Sequence, residues 1–87
     1  ATWAGTPIAD ILALAQVQKG ADTVWFFGAD GYSKPLSLAR VLDRANFLAY
    51  EWEGQPLPRL HGFPVRVVIP EGPGNEWTKW LVEIKVQ

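Results

Sequence analysis

At 87 residues the chain is long enough for one domain but lies near the size at which a single hydrophobic core becomes marginal. Hydrophobic residues make up 48% and charged residues 20%, an ordinary globular composition rather than a disordered or fibrous one. The formal charge of −1, with both signs scattered, leaves no basic stripe for a nucleic-acid backbone; the absence of cysteine excludes a disulfide framework and any thiolate supplied by these residues; and no apolar run approaches the ~20 residues of a bilayer span.

In chain order, the first element is TPIADILALAQV, residues 6–17. Thr6 suits an N-cap and Pro7 the first helical position, and Ile8, Ile11, Leu12 and Ala15 recur at helical spacing. This predicts a short amphipathic helix ending near Lys19, with Gly20 as its left-handed cap. Thr23 to Phe27 is a continuous β-branched and aromatic run, read as a buried strand that breaks into a loop at Gly28, Asp30 and Gly31. Leu38, Val41 and Leu42 share one face behind Ser37, a second N-cap, and predict a second short helix.

NFLAYEW, residues 46–52, alternates as a strand, and EGQPLPRLHG, residues 53–62, is a turn-rich connection. PVRVVIP, residues 64–70, reads as a strand bounded by prolines, with Val65, Val67 and Ile69 on one face and Arg66 and Val68 on the other. After a glycine- and proline-rich loop, KWLVEIKV sets Trp80, Val82, Ile84 and Val86 against Leu81, Glu83 and Lys85, a closing strand with one wetter face. The elements add up to an α+β fold, a small mixed sheet with short helices, spanning residues 1–87 as one domain without repeat or linker.

Five tryptophans are more than a core of this size easily hides, so some of Trp3, Trp25, Trp52, Trp77 and Trp80 are expected on a contact surface or ligand site; a tryptophan-rich core is the alternative. The polar candidates fall in three loop regions: Asp30 and Tyr32 after the first strand, His61 and Arg66 around the third, and Trp77, Thr78 and Lys79 before the last. Asp30 also suits a plain turn former, Tyr32 a rim or core tyrosine, and His61 a locally satisfied loop residue. Arg66, inside an apolar strand, must reach solvent or an anion, and its rigid fork suits phosphate or carboxylate. One histidine and no cysteine leave no self-contained zinc site.

The stretch LSLARVLDRANFLAYEWEGQPLPRLHGFPVRVVIP, followed by GNEWTKWLVEIKVQ, closely resembles the molybdenum-cofactor domain of the sulfite oxidase family. Its Ala-Tyr-Glu, Gly-x-Pro-Leu-Pro and His-Gly-Phe-Pro-x-Arg patterns stand in order; WAGTPIADIL resembles the family's Trp-x-Gly helix start, and FFGADGYS its strand and loop leading to the active site. The resemblance covers nearly the whole chain and implies the C-terminal half of that fold, in a family that oxidises sulfite, or in relatives reduces sulfoxides, on a pterin-bound molybdenum. It assigns Tyr32 the catalytic place beside the metal and Asp30, His61, Arg66, Trp77, Thr78 and Lys79 to binding molybdopterin, with His61 and Arg66 meeting its phosphate from opposite ends of a fixed turn.

Two departures accompany the resemblance. The family's molybdenum-ligating cysteine lies upstream of the Trp-x-Gly segment and this chain has none, so no metal ligand is expected from it. Glu76 stands where relatives commonly carry a basic residue, and a carboxylate there is expected to repel the phosphate. The implied function is therefore a shortened molybdopterin-binding domain acting as a non-catalytic binding or structural subunit. The alternative is one half of a split molybdenum oxidoreductase completed by a cysteine-bearing partner. A third reading is a module for an unrelated acidic ligand using Arg59, Arg66 and Lys79. A homo-oligomer, or a larger protein covering the missing half, is the expected partner, with no nucleic acid. No signal peptide is visible, which leaves periplasm and cytoplasm both open to a soluble chain.

Overall fold

The computed structural model describes residues 2–87 and divides the strands between two small sheets in which every pairing is antiparallel. In the first sheet β4 (Phe47–Trp52) is central. It pairs with β1 (Trp3–Pro7) along one edge and with β5 (Gln55–Pro56) and β6 (Arg66–Val68) along the other. The second sheet has the order β3-β2-β7, from β3 (Ser33–Ser37), β2 (Thr23–Gly28) and β7 (Leu81–Val86). Helices α1 (Ile8–Ala15) and α2 (Leu38–Val41), with single 3₁₀ turns at Arg59–His61 and Gly74–Glu76, complete the α+β architecture.

The core lies between the sheets. Ile8 and Leu12 of α1, Val24 and Phe26 of β2, Leu36 of β3, Val41 of α2 and Val67 of β6 form one buried cluster with Ile69 and Leu81. Burying a side chain such as Phe26 contributes roughly 1.5–3 kcal/mol, and β2 supplies two such positions because its alternation turns Val24 and Phe26 to the same side.

Helix α2 follows the sequence: Ser37 is its N-cap, the hydroxyl accepting the Arg40 backbone N–H. Helix α1 does not. Thr6 and Pro7 are taken up by the β1 ladder opposite Leu48 and Phe47, so Pro7 rather than Thr6 occupies the N-cap position. The helix also stops at Ala15, where Gln16 adopts φ 54°, because Val17 turns back to pack on the core; Gly20, at φ 93°, belongs to the following turn. Strands β1 and β3 carry no strand signal in the sequence, β3 holding Pro35 among polar residues.

The alternation read for the last strand also fails by one position. The register of β7 on β2 shifts between Phe27 and Gly28, and Trp80 just before the strand has φ 52°. The phase therefore changes at Val82, which is 66% exposed, while Leu81 joins the core with Ile84 and Val86 packed against it. In β6, Val68 is buried as well as Val67, so only Arg66 of its face stays partly open.

Candidate functional site

Asp30 and Tyr32 from the turn after β2, Asn75 from the Gly74–Glu76 turn, and Trp77, Lys79 and Trp80 from the run into β7 line one cleft of about 190 Å³. Close backbone packing builds it. A Cβ at Gly28 would stand 2.7 Å from the Lys79 carbonyl oxygen, so the end of β2 lies directly against the run that carries Lys79. Asp30 accepts the Tyr32 backbone N–H on Oδ1 at 3.2 Å, fixing the turn, and the Tyr32 hydroxyl donates to the Asn75 carbonyl, fastening that turn to the next wall. Asp30 is thus a turn former and a cleft residue at once.

The ends of the His-Gly-Phe-Pro-x-Arg motif meet each other rather than standing apart. Arg66 Nη1 donates to the His61 carbonyl at 3.0 Å, and the guanidinium carbon lies 5.1 Å from the Trp3 ring centre and 5.3 Å from that of Trp77. Its Nε is buried without a partner. Burial without a facing carboxylate lowers the Arg66 pKa from its ordinary value. The His61 ring does not join it but packs at a tilt against Trp52 with centres 4.9 Å apart. Trp77 serves both places, as a wall of the cleft and as a cover of Arg66, its Nε1 held by the Ile69 carbonyl at 2.8 Å.

Gly62 joins the two groups. At φ 111° it takes a conformation other residues rarely hold, and a Cβ there would come within 3.0 Å of the Arg66 Cβ and 3.2 Å of the Lys79 Cβ. The turn beneath both cations is pinned by Trp80 Nε1 donating to the Arg59 carbonyl at 2.7 Å and by Lys79 Nζ to the Leu60 carbonyl at 3.5 Å, the long limit for such a bond. Lys79 therefore holds its ammonium loosely, 5.0 Å from the Trp80 ring centre.

Thr78 departs from its expected place. It is 1% exposed and does not line the cleft, and its hydroxyl oxygen is buried without a partner. The expected repulsion from Glu76 is also corrected: its carboxylate takes two bonds from Arg40, at 2.6 and 2.7 Å. The Arg40 hydrogen bonds hold its pKa below the ordinary carboxylate value. A carboxylate so committed has little field left for a neighbouring anion.

A larger cleft, about 360 Å³, is lined by Ala39, Arg40, Asp43, Ala45, Asn46, Ile69 and Glu71 and contains none of the residues singled out from the sequence. Its cation is Arg40, already neutralised by Glu76, so size alone does not make it the site.

The chemistry of the smaller cleft suits a flat, anionic heteroaromatic group: the indoles of Trp77 and Trp80 stand among its walls, with the Asp30 carboxylate to accept from ring N–H groups and the Lys79 ammonium for a phosphate. Its volume falls below the ~300–1,000 Å³ of whole-ligand pockets, so it takes one part of such a group. It does not suit a soft metal: the sequence has no cysteine, and the described residues contain no group of three His, Asp or Glu side chains that could hold an ion. Sequence reasoning missed Asn75 and the covering roles of Trp3 and Trp52. The tryptophan count was the available signal, and all five are in fact only partly buried.

Residues 1–87 match the family described as "Oxidoreductase molybdopterin binding domain". The chain is 44% identical to the mitochondrial sulfite oxidase of Homo sapiens, over 100% of its own length and 18% of that protein. It is 39% identical to the nitrate reductase [NADPH] of Fusarium oxysporum, over 99% of its own length and 10% of that protein. Among solved structures, the sulfane dehydrogenase SoxCD from Paracoccus pantotrophus superimposes with a TM-score of 0.88 at 30% identity, covering 94% of this chain and 21% of that one. The chain thus spans about a fifth or less of the length of these relatives.

Proposed function

The chain belongs to the sulfite oxidase family of oxidoreductase molybdopterin-binding domains, and from that premise we propose that its Asp30–Lys79 cleft is one wall of a molybdopterin site in an oxidoreductase acting on small sulfur or nitrogen oxyanions. The substrate class follows the names of the relatives, sulfite and nitrate enzymes among them. The observation that carries the reading is the convergence of Asp30, Tyr32, Trp77 and Lys79, from three separated segments, on one aromatic-walled cleft.

In this reading Trp77 and Trp80 cover the pterin, Asp30 accepts from its N–H edge, and Lys79 releases its weak bond to Leu60 to meet the phosphate. Arg66, held between Trp3 and Trp77 behind the cleft wall, supports the anion site with its charge. His61 contributes by its carbonyl, which orients Arg66, and Thr78 by a buried hydroxyl that backs the wall. Tyr32, 40% exposed, holds the substrate oxyanion at the rim, where its hydroxyl exchanges the Asn75 carbonyl for substrate. Bound molybdenum cofactor supplies the two-electron couple for oxygen-atom transfer; the thiolate that binds its metal comes from polypeptide outside these 87 residues.

A second reading, a binding or structural subunit without turnover, is favoured by the engagement of the Tyr32 hydroxyl with Asn75. Elemental analysis for molybdenum, with pterin fluorescence after denaturation, on protein isolated from its host with whatever copurifies separates the two. Stoichiometric metal and pterin with a cysteine-bearing polypeptide supports the oxidoreductase; pterin without metal supports the binding subunit; absence of both metal and pterin removes the cofactor assignment.

A further inference from the structure

The Arg40–Glu76 pair does more than join α2 to the loop before β7. Its arginine end is fixed in place: the Arg40 backbone N–H donates to Ser37 Oγ, and the Arg40 carbonyl accepts from Asn46 Nδ2 at 2.6 Å. Its carboxylate end is enclosed. Glu76 is 7% exposed, and the backbone at Gly72 lies so close that a Cβ there would fall on Glu76 Oε1 and stand 2.9 Å from Arg40 Nη2. Bonds of 2.6 and 2.7 Å close the guanidinium fork on the carboxylate between these two supports.

What the pair holds still is one peptide group. The Asn75 carbonyl and the Glu76 N–H belong to the same planar trans unit and so point in opposite directions. The N–H donates to the Pro73 carbonyl at 3.0 Å, which turns the Asn75 carbonyl the other way, onto the Tyr32 hydroxyl. Tyr32 is anchored at its own end: its backbone N–H donates to Asp30 Oδ1, and its carbonyl accepts the Gly28 N–H at 2.8 Å. The hydroxyl therefore bridges two fixed walls. Trp77, on the other side of Glu76, has a separate tether through the Ile69 carbonyl.

We propose that Arg40 and Glu76 are positioning residues for Tyr32, holding the Asn75 carbonyl where it keeps the phenol hydroxyl in place until an oxyanion replaces it. The inference deepens the proposed function and rests on it for the oxyanion alone. Because Trp77 is tethered independently, loosening the pair frees the Tyr32 end of the cleft and spares the indole wall.

Carbon-13 NMR of the 87-residue chain labelled at tyrosine Cζ tests it, since that resonance reports what the hydroxyl bonds. The sequence has two tyrosines, and a Tyr50→Phe background leaves Tyr32 alone. Glu76→Gln and Gly72→Ala are expected to move the Tyr32 resonance toward its position in the urea-unfolded chain. The first removes the charge, and the second displaces the carboxylate with both charges present. Arg40→Lys, which keeps the charge but not the fork, is expected to give a smaller shift in the same direction. Arg44→Gln breaks the Asp10–Arg44 pair instead and should leave the resonance where it was, which separates positioning from a general loss of stability. Tryptophan emission checks that each variant is folded. Sodium sulfate, titrated against sodium chloride at equal ionic strength, then reads the exchange. Half-saturation of the Tyr32 shift is expected at lower sulfate in Gly72→Ala, by up to about tenfold, because one competing hydrogen bond is loosened. A resonance unmoved in folded Glu76→Gln and Gly72→Ala overturns the proposal, as does an equal shift in Arg44→Gln or an equal sulfate response in Gly72→Ala. A resonance that moves in the variants but ignores sulfate in every protein removes the oxyanion role of Tyr32 and leaves the positioning standing.

Discussion

Arg40 and Arg66 approach the same short segment of chain from two sides and are treated in opposite ways. Arg40 meets Glu76 through two short bonds, charge against charge, and nothing in the pair remains to be satisfied. Arg66 meets the neighbouring Trp77 through its π face, has Trp3 on its other side, and finds one carbonyl but no carboxylate, so that Nε stays unpaired and burial weighs on its charge. A completed network holds a fold together and needs nothing further. An incomplete one, beside a cleft that carries a loosely held lysine, is what supports the proposed anion site.

Deleting each arginine in turn separates the two roles. Arg66→Ala is expected to weaken binding of an oxidised pterin phosphate about 100-fold, the loss of a charge-assisted contact, with little change in melting temperature. Arg40→Ala is expected to do the reverse, lowering the melting temperature by stranding the Glu76 carboxylate while leaving affinity within a factor of about two. Titration and thermal melts of both variants check the crossing, and parallel behaviour of the two would dissolve the distinction. Gly62→Ala comes next. It forces a side chain into a positive-φ turn against the stems of Arg66 and Lys79, costing about 1–3 kcal/mol in urea unfolding and displacing both cations together.

A smaller effect of opposite sign is expected at Thr78. Thr78→Val removes a buried hydroxyl that has no partner while keeping its shape, so the free chain should gain about 1 kcal/mol in denaturant midpoint terms. No gain would mean that an ordered water already satisfies the hydroxyl. The smallest effect is acid sensitivity. Glu76 has its pKa depressed in the fold by Arg40, so its contribution to stability is present above the ordinary value of about 4.3 and disappears as pH falls through the lower folded value. Glu76→Gln should flatten that acid limb and leave stability at pH 7 reduced. An unchanged limb would assign it instead to Asp10, whose pKa Arg44 depresses in the same direction.

The elements that sequence reasoning found are those whose side chains repeat a single pattern over several residues: the apolar run of β2, the alternation of β4, and Ser37 ahead of α2. It missed what depends on a partner far along the chain. Thr6 and Pro7 are strand residues because Leu48 and Phe47 lie opposite them, and no local signal announces that pairing. The phase of β7 turns on a bulge facing Gly28. At the site, Asp30, Tyr32, Trp77 and Lys79 were singled out individually and the fold brings them to one cleft, whereas Thr78 is turned inward by its place in the core. Glu76 was misjudged because its partner is 36 residues away, a pairing that charge patterning cannot assign.

In the proposed function the Trp77–Lys79 cleft receives the pterin end of the cofactor. It is tested most directly by titrating an oxidised pterin phosphate into the 87-residue chain and following tryptophan quenching, alongside the Lys79→Ala and Asp30→Asn variants. Saturable one-site quenching, with affinity lowered at least tenfold in each variant, is the predicted result. Quenching that never saturates, or that is equal in all three proteins, would contradict it.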